Sequence, residues 1–163
     1  MQGQTGLAKL IAESGTGAAS GHGRTMGREA VDMLAEIPLF SSLSRRHLGK
    51  LAGCASTKRY APHTVLVQRG KPADAFYVIL DGSAHVDVPG RKSELRMGDF
   101  FGEMALIDGE PRSASVIADS EVVAMIIPRT KFIKLLEAEP KLSLAMLATL
   151  TRRIRDMQVA ASL

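Results

Sequence analysis

The sequence predicts an α+β domain that is mainly β: an antiparallel sandwich or barrel with helices at both ends. Between residues 56 and 127, short apolar or alternating segments are separated by glycine-bearing turns, the pattern of many short strands. On either side of that region, apolar residues recur at three- and four-residue steps, the helical period. The chain has 163 residues, 45% of them hydrophobic, which is enough for one domain with a substantial core.

Taken in order, residues 1–24 are rich in Gly, Ser, Thr and Ala with no sustained period, and are expected to form a flexible tail. Within them "GTGAASGHG" superficially suggests a phosphate-binding loop. It lacks a preceding strand and a Lys-Ser/Thr ending, so a tail is the better expectation. The expected domain covers residues 25–163, beginning with a helical region over 26–53. In "GREAVDMLAEIPLF" Val31, Leu34 and Ala35 share a face, and Pro38 ends the helix. "SLSRRHLGKLAGC" follows as a second helix, with Ser44 as N-cap and Gly53 as stop. His47 is expected on its surface.

The β region, 56–127, contains "HTVLVQRG", "DAFYVILDG", "SAHVDVPG", "SELRMGDF", "SASVIADS" and "EVVAMIIP". Pro89-Gly90 marks a tight turn, since proline presets one central position and glycine tolerates positive φ at the next. Helices are expected again over 129–159. Thr130 can cap "KFIKLLEAE", and Pro140 can open a second helix from its first turn. In that second helix Leu147, Leu150, Ile154 and Met157 form a stripe that needs cover.

The remaining composition narrows the function classes. The formal net charge is +4, with Lys and Arg scattered except for Arg152, Arg153 and Arg155, so a solvated helix face is favoured over a nucleic-acid patch. No apolar run is long enough to span a bilayer, and the N-terminus lacks a secretory pattern. The single Cys54 excludes an internal disulfide and offers no metal-ligand cluster. A reducing, cytoplasmic setting is expected. No nucleophile–base pair or metal set accompanies the carboxylates, which speaks for a binding module and against an enzyme.

One stretch stands out: "FGEMALIDGEPRSASV", Phe101 to Val116, places a glycine, a carboxylate, a short helical turn and an arginine between two strand-like segments. A short helix starting at Gly102 leaves first-turn amides unpaired, an end that suits an anion. Gly102 allows close backbone approach. Arg112 brings a planar, permanently charged fork for phosphate oxygens, and Ser113 and Ala114 add donors. Glu103, when ionised, only accepts hydrogen bonds, which matches a ribose 2′-hydroxyl. The competing reading is an internal Glu103–Arg112 ion pair that stiffens a loop.

"FGEMAL", five residues and then "RSA" resembles the phosphate-binding cassette of the cyclic nucleotide-binding domain family. That family includes protein kinase A regulatory subunits, catabolite activators and cyclic-nucleotide-gated channels. "LVQRGKPADAFYVILDG" resembles its upstream signature, with Gly70 and Gly82 at turn positions. Lys71 departs from it, where an acidic or small polar residue is usual. "GDFFGE" fits the approach to the cassette, and "IPLFSSLS" resembles the helical element before the roll.

The resemblance covers roughly Ile37 to Asp156. It implies an eight-stranded antiparallel β-roll, jelly-roll-like, between N-terminal helices and a C-terminal hinge-and-lid pair. It implies a ligand site of Phe101, Gly102, Glu103, Met104, Ala105, Arg112, Ser113 and Ala114, with Glu103 on the ribose and Arg112 on the phosphate. The ligand expected is cAMP, with cGMP less favoured because no guanine-specific threonine follows Arg112. Ser113 can reach either a guanine amino group or a phosphate oxygen. The expected function is a cyclic nucleotide sensor that transmits binding through its C-terminal helices to an effector protein or further domain. There is no room for a helix-turn-helix output domain, and direct nucleic-acid binding is not expected. The alternative is a structural or partner-binding domain whose interface is the C-terminal helix.

Overall fold

The computed structural model describes residues 23–162. Helix α1 (Gly23–Glu36) leads through a 3-10 turn (Pro38–Phe40) to α2 (Arg45–Cys54). Eight strands follow: β1 (Ser56–Tyr60), β2 (Val65–Val67), β3 (Ala75–Asp81), β4 (Ala84–Val88), β5 (Arg91–Leu95), β6 (Phe100–Phe101), β7 (Ser115–Ala118) and β8 (Val122–Pro128). A short helix, α3 (Glu103–Asp108), sits between β6 and β7, and α4 (Arg129–Ala138) and α5 (Pro140–Ala161) close the chain. The expected tail lies outside the described residues except for Gly23 and Arg24, which are helical rather than tail.

The strands form two four-stranded antiparallel sheets, in the orders β1-β8-β3-β6 and β2-β7-β4-β5. Strand β3 shows why the sequence alternates so weakly here: six consecutive residues, Ala75 to Leu80, are buried. Side chains alternate across a strand. Phe76, Val78 and Leu80 face the helices, while Ala75, Tyr77 and Ile79 face the other sheet. Strand β8 divides in the same way, with Val123, Met125 and Ile127 toward the helices and Val122 and Ala124 toward the sheet.

Two cores result. One lies between the first sheet and the helices, joining Phe76, Val78 and Met125 to Leu34, Phe40, Leu48, Leu51, Phe132, Leu142 and Met146. Phe132 of α4 stacks on Phe76 with ring centroids 4.4 Å apart. The other core fills the space between the sheets, from Tyr77 and Phe101 to Leu66, Val67, Val116 and Ala118. The helices therefore rest on the outer face of the β-roll and take no part in the inter-sheet core.

The predicted caps held in part. The Ser44 hydroxyl accepts from the His47 amide at 3.3 Å, and Pro140 stands in the first turn of α5. Pro89-Gly90 forms the two-residue turn between β4 and β5, with Gly90 at φ 78°. Gly53 is not a stop: α2 runs on to Cys54, and Ala55 ends it in extended backbone. Thr130 is not a cap either, since it lies inside α4, whose N-cap position is Pro128. Gly82, in the turn after β3, is fixed by space and conformation. Its φ is +85°, and a Cβ there would stand 2.0 Å from the Glu121 carbonyl oxygen.

Candidate functional site

Strand β6 delivers the chain to Gly102 beside Tyr77, whose ring stacks on Phe101 at 4.9 Å. Gly102 has φ +89°, in the left-handed region that only glycine adopts freely, and it starts α3 at once. A Cβ at this position would lie 2.6 Å from Arg112 Nη1. The glycine is thus required twice, for the turn and for the guanidinium that occupies the space. Gly109 (φ 77°) ends α3, with its amide donating to the Ala105 carbonyl at 3.1 Å.

Arg112 is held by main chain and side chain alike. Its amide donates to the Lys71 carbonyl and its carbonyl accepts from the Gly70 amide, both at 2.9 Å, which ties the loop before β7 to the β2–β3 turn. Its guanidinium donates to the Gly102 and Ala75 carbonyls at 2.9 Å each and sits 5.7 Å from the Tyr77 ring centre. The side chain is 5% exposed. These contacts commit both terminal nitrogens to main-chain carbonyls and fix the orientation of the fork.

Glu103, the first residue of α3, is 3% exposed. Burial pushes its carboxyl above the ordinary carboxylate range, opposed by its own amide and by the Arg153 and Arg112 guanidinium groups. The internal Glu103–Arg112 pair does not form. Within ion-pair distance Glu103 meets Arg153 at 3.6 Å, and Arg112 meets Asp74 at 3.8 Å. Arg153, from α5, also donates to the Phe100 carbonyl at 3.0 Å and packs over the Phe100 ring.

All eight residues expected from the sequence line one cleft of about 110 Å³. Val67, Val86 and Val116 of β2, β4 and β7 form an apolar wall, and Arg153 closes the side facing α5. The valines were not anticipated. Their signal is the strand alternation, which decides which face each residue occupies but not which face holds a cleft. Arg153 was one of three arginines in the C-terminal helix, separable from its neighbours only by the phase of that helix against Phe100. The expected stripe is covered at one place: Leu150 packs against the core, while Leu147, Ile154 and Met157 are more than half exposed.

A family model described as "Cyclic nucleotide-binding domain" matches residues 57–139, half of the chain, a span that holds the roll from the second residue of β1 and every cleft residue except Arg153. The chain belongs to the cyclic nucleotide-binding domain family. The cAMP-dependent protein kinase regulatory subunit of Aspergillus fumigatus is 40% identical over 106 residues, 63% of this chain and 26% of that protein. Glutaminase 1 of Bradyrhizobium diazoefficiens is 33% identical over 131 residues, 79% of this chain and 21% of that protein. The chain spans about a quarter of the length of these curated relatives. A solved structure described as Sp-2Cl-cAMPS bound to PKAR CBD2 superposes with a TM-score of 0.72 at 22% identity, covering 85% of this chain and 95% of that one. That likeness establishes the shared fold. Among the described residues no helix is long and apolar enough to cross a membrane, and no cluster of three or more metal-ligating side chains occurs.

Proposed function

We propose that the cleft binds a cyclic nucleotide, cAMP in preference to cGMP, and that residues 25–163 act as one sensor domain. The observation that carries this reading is that Glu103 and Arg112, opposite charges buried in one cleft, do not neutralise each other. Their ion-pair partners are long ones, Arg153 at 3.6 Å from Glu103 and the exposed Asp74 at 3.8 Å from Arg112. A ligand with a hydroxyl beside an anionic group offers each a closer partner.

Glu103 accepts from the ribose 2′-hydroxyl in this reading. Arg112 has five N–H donors, of which two serve the Gly102 and Ala75 carbonyls, so others remain for a phosphate oxygen. Gly102 admits the ligand close to the backbone, and Ser113 and Ala114 complete the phosphate side. Phe101, Met104 and Ala105 join the three valines in limiting water around the charged groups, where electrostatic contacts are strongest. The name of the Aspergillus relative, a cAMP-dependent regulatory subunit, supports cAMP and a regulatory output.

Output passes through α5, because Arg153 joins that helix directly to the carboxylate that would read the sugar. The receiver is an effector protein or a further domain, in a cytoplasmic setting. The role is binding rather than catalysis, since no nucleophile–base pair accompanies Glu103. A calorimetric titration with cAMP and with cGMP tests the reading. It predicts binding of both with cAMP tighter, and absence of heat with either at about 1 mM ligand contradicts it.

A second reading rests on α5 itself, where Leu144, Leu147, Ile154, Met157 and Val159 are exposed. In it the chain is a partner-binding domain that uses this helix as its interface. Mass in solution with and without nucleotide separates the two: the sensor reading predicts a nucleotide-dependent change at α5, and the interface reading predicts association that ignores nucleotide.

A further inference from the structure

A second concavity, of about 470 Å³, lies between α2 and α4, on the helical layer and away from the cleft. Its floor is apolar, built from Leu51, Leu135 and Ala138, with the half-buried Cys54 beside them. Its rims are cationic. Lys50 stands on α2, and Lys131 and Lys134 stand on α4, three residues apart and so on one face. No carboxylate lines the groove. Among the described residues none of these lysines has a carboxylate within 4.0 Å, and Glu139, at one end, is engaged by His47. Helix α2 contains no acidic residue and α4 contains one, Glu137, which is not part of the lining.

Two glycines in α2 add an independent observation. Gly49 and Gly53 are both helical without positive φ, and a Cβ at either would meet nothing within 4 Å. Among the described residues neither backbone conformation nor packing calls for glycine here, the least favourable residue after proline in a helix interior. Gly53 lines the groove, where a missing side chain lets another backbone approach closely.

We infer that this groove docks an acidic amphipathic helix of a protein partner. An apolar ridge on that helix covers Leu51, Leu135 and Ala138, and acidic residues on its two flanks meet Lys50 on one rim and Lys131 and Lys134 on the other. The lining runs from Lys131 to Ala138 on α4, which makes a groove about 12 Å long, enough for about two turns of a partner helix. A fatty acid carries one carboxylate and cannot pair with both rims. A nucleic-acid strand has no apolar ridge for the floor; no Phe, Tyr or Trp lines the groove to stack its bases, and the one imidazole there, His47, is engaged by Glu139. The inference goes beyond nucleotide binding and does not depend on it.

The probe is a synthetic, end-blocked peptide with Leu at i, i+4, i+7 and i+11 and Glu on both flanks, labelled with fluorescein and followed by anisotropy. Saturable binding in the micromolar range is expected, weakening as salt rises from about 50 to about 300 mM. The double variant Lys131→Glu/Lys134→Glu should bind at least about tenfold more weakly, and Lys50→Gln should weaken binding in the same direction. Circular dichroism and the melting temperature establish that both variants fold. Gly53→Ala should raise the melting temperature and yet weaken the peptide, a combination that a purely structural role for the groove does not produce. Because Cys54 is the single cysteine of the chain, the peptide should also slow its alkylation by iodoacetamide. The inference is overturned by no anisotropy change at about 1 mM peptide, by equal affinity for a Lys-flanked control peptide, or by charge variants that bind as the parent does. It is equally overturned if decanoate or a single-stranded oligonucleotide protects Cys54 while the peptide does not.

Discussion

Arg153 Nη1 lies 3.6 Å from Glu103 Oε1, so the C-terminal helix is joined by one side chain to the buried carboxylate of the cleft. A hydrogen bond from the same guanidinium to the Phe100 carbonyl fixes the approach. A ligand hydroxyl that reaches Glu103 competes with this contact. In the proposed reading, ligand occupancy and the position of α5 are coupled through a shared acceptor, and a ligand shifts that equilibrium by its differential affinity for the two arrangements.

That coupling predicts the behaviour of α5. Truncation after Ala148 removes Arg153 and the last stretch of the helix while leaving Leu142 and Met146, the helix's buried residues, in the core. The truncated protein is expected to stay folded and to bind cAMP more weakly. In the full chain, amide exchange over residues 140–158 is expected to slow when cAMP is added. Unchanged affinity together with unchanged exchange would make α5 a packing element or an interface instead.

Arg112→Lys keeps the charge but loses the planar fork. Binding of cAMP should weaken by about 1.5–3 kcal/mol, or roughly ten- to a hundredfold. The melting temperature should fall as well, because lysine cannot serve the Gly102 and Ala75 carbonyls together in the same geometry. A dissociation constant equal to that of the parent would place the phosphate elsewhere.

Gly102→Ala tests the two demands on that position. The left-handed conformation costs an alanine about 1–2 kcal/mol, and its Cβ would force the Arg112 guanidinium to move. Stability and cAMP affinity should both fall. Loss of stability alone, with affinity intact, would show that the position of Arg112 is not what the ligand reads.

The raised pKa of Glu103 gives a pH dependence of definite sign. Burial lifts the folded value above the unfolded one, so between the two values the folded state holds the proton that the unfolded state releases. Stability from this group therefore falls as pH rises through that window, and the ionised carboxylate is a net cost at neutral pH. Glu103→Gln should melt at a higher temperature than the parent at pH 7, with the gap closing as pH falls below the ordinary carboxylate value. The same variant should bind cAMP more weakly, since an amide replaces a charged acceptor. Melting curves across pH check the sign; a parent that gains on the variant as pH rises would reverse it.

Much of this architecture was legible in the sequence because the signals are local. Glycine-bearing turns separate the strands, Pro89-Gly90 sets a hairpin, and Pro140 opens a helix. Strand β1, "STKRY", was harder: it is an edge strand with mostly exposed residues and little apolar pattern. Gly53 and Thr130 misled because each residue type usually marks a helix end, whereas α2 runs one residue past Gly53 and α4 begins one residue before Thr130. Phe101 to Ala105 and Arg112 to Ala114, which line one cleft, were legible as a group because they lie in one contiguous stretch. The partners chosen by Glu103 and Arg112 were not legible. Asp74 and Arg153 come from a distant turn and a distant helix, and only the packing of the roll brings them near.

Whether Glu103 reads the sugar of a cyclic nucleotide is decided by comparing cAMP with its 2′-deoxy analogue on the parent and on Glu103→Ala. The parent should prefer the ribose ligand by about 1–3 kcal/mol, because the deoxy ligand leaves a desolvated carboxylate without a donor. Glu103→Ala should bind both ligands weakly and nearly equally. The same preference in both proteins would contradict the account.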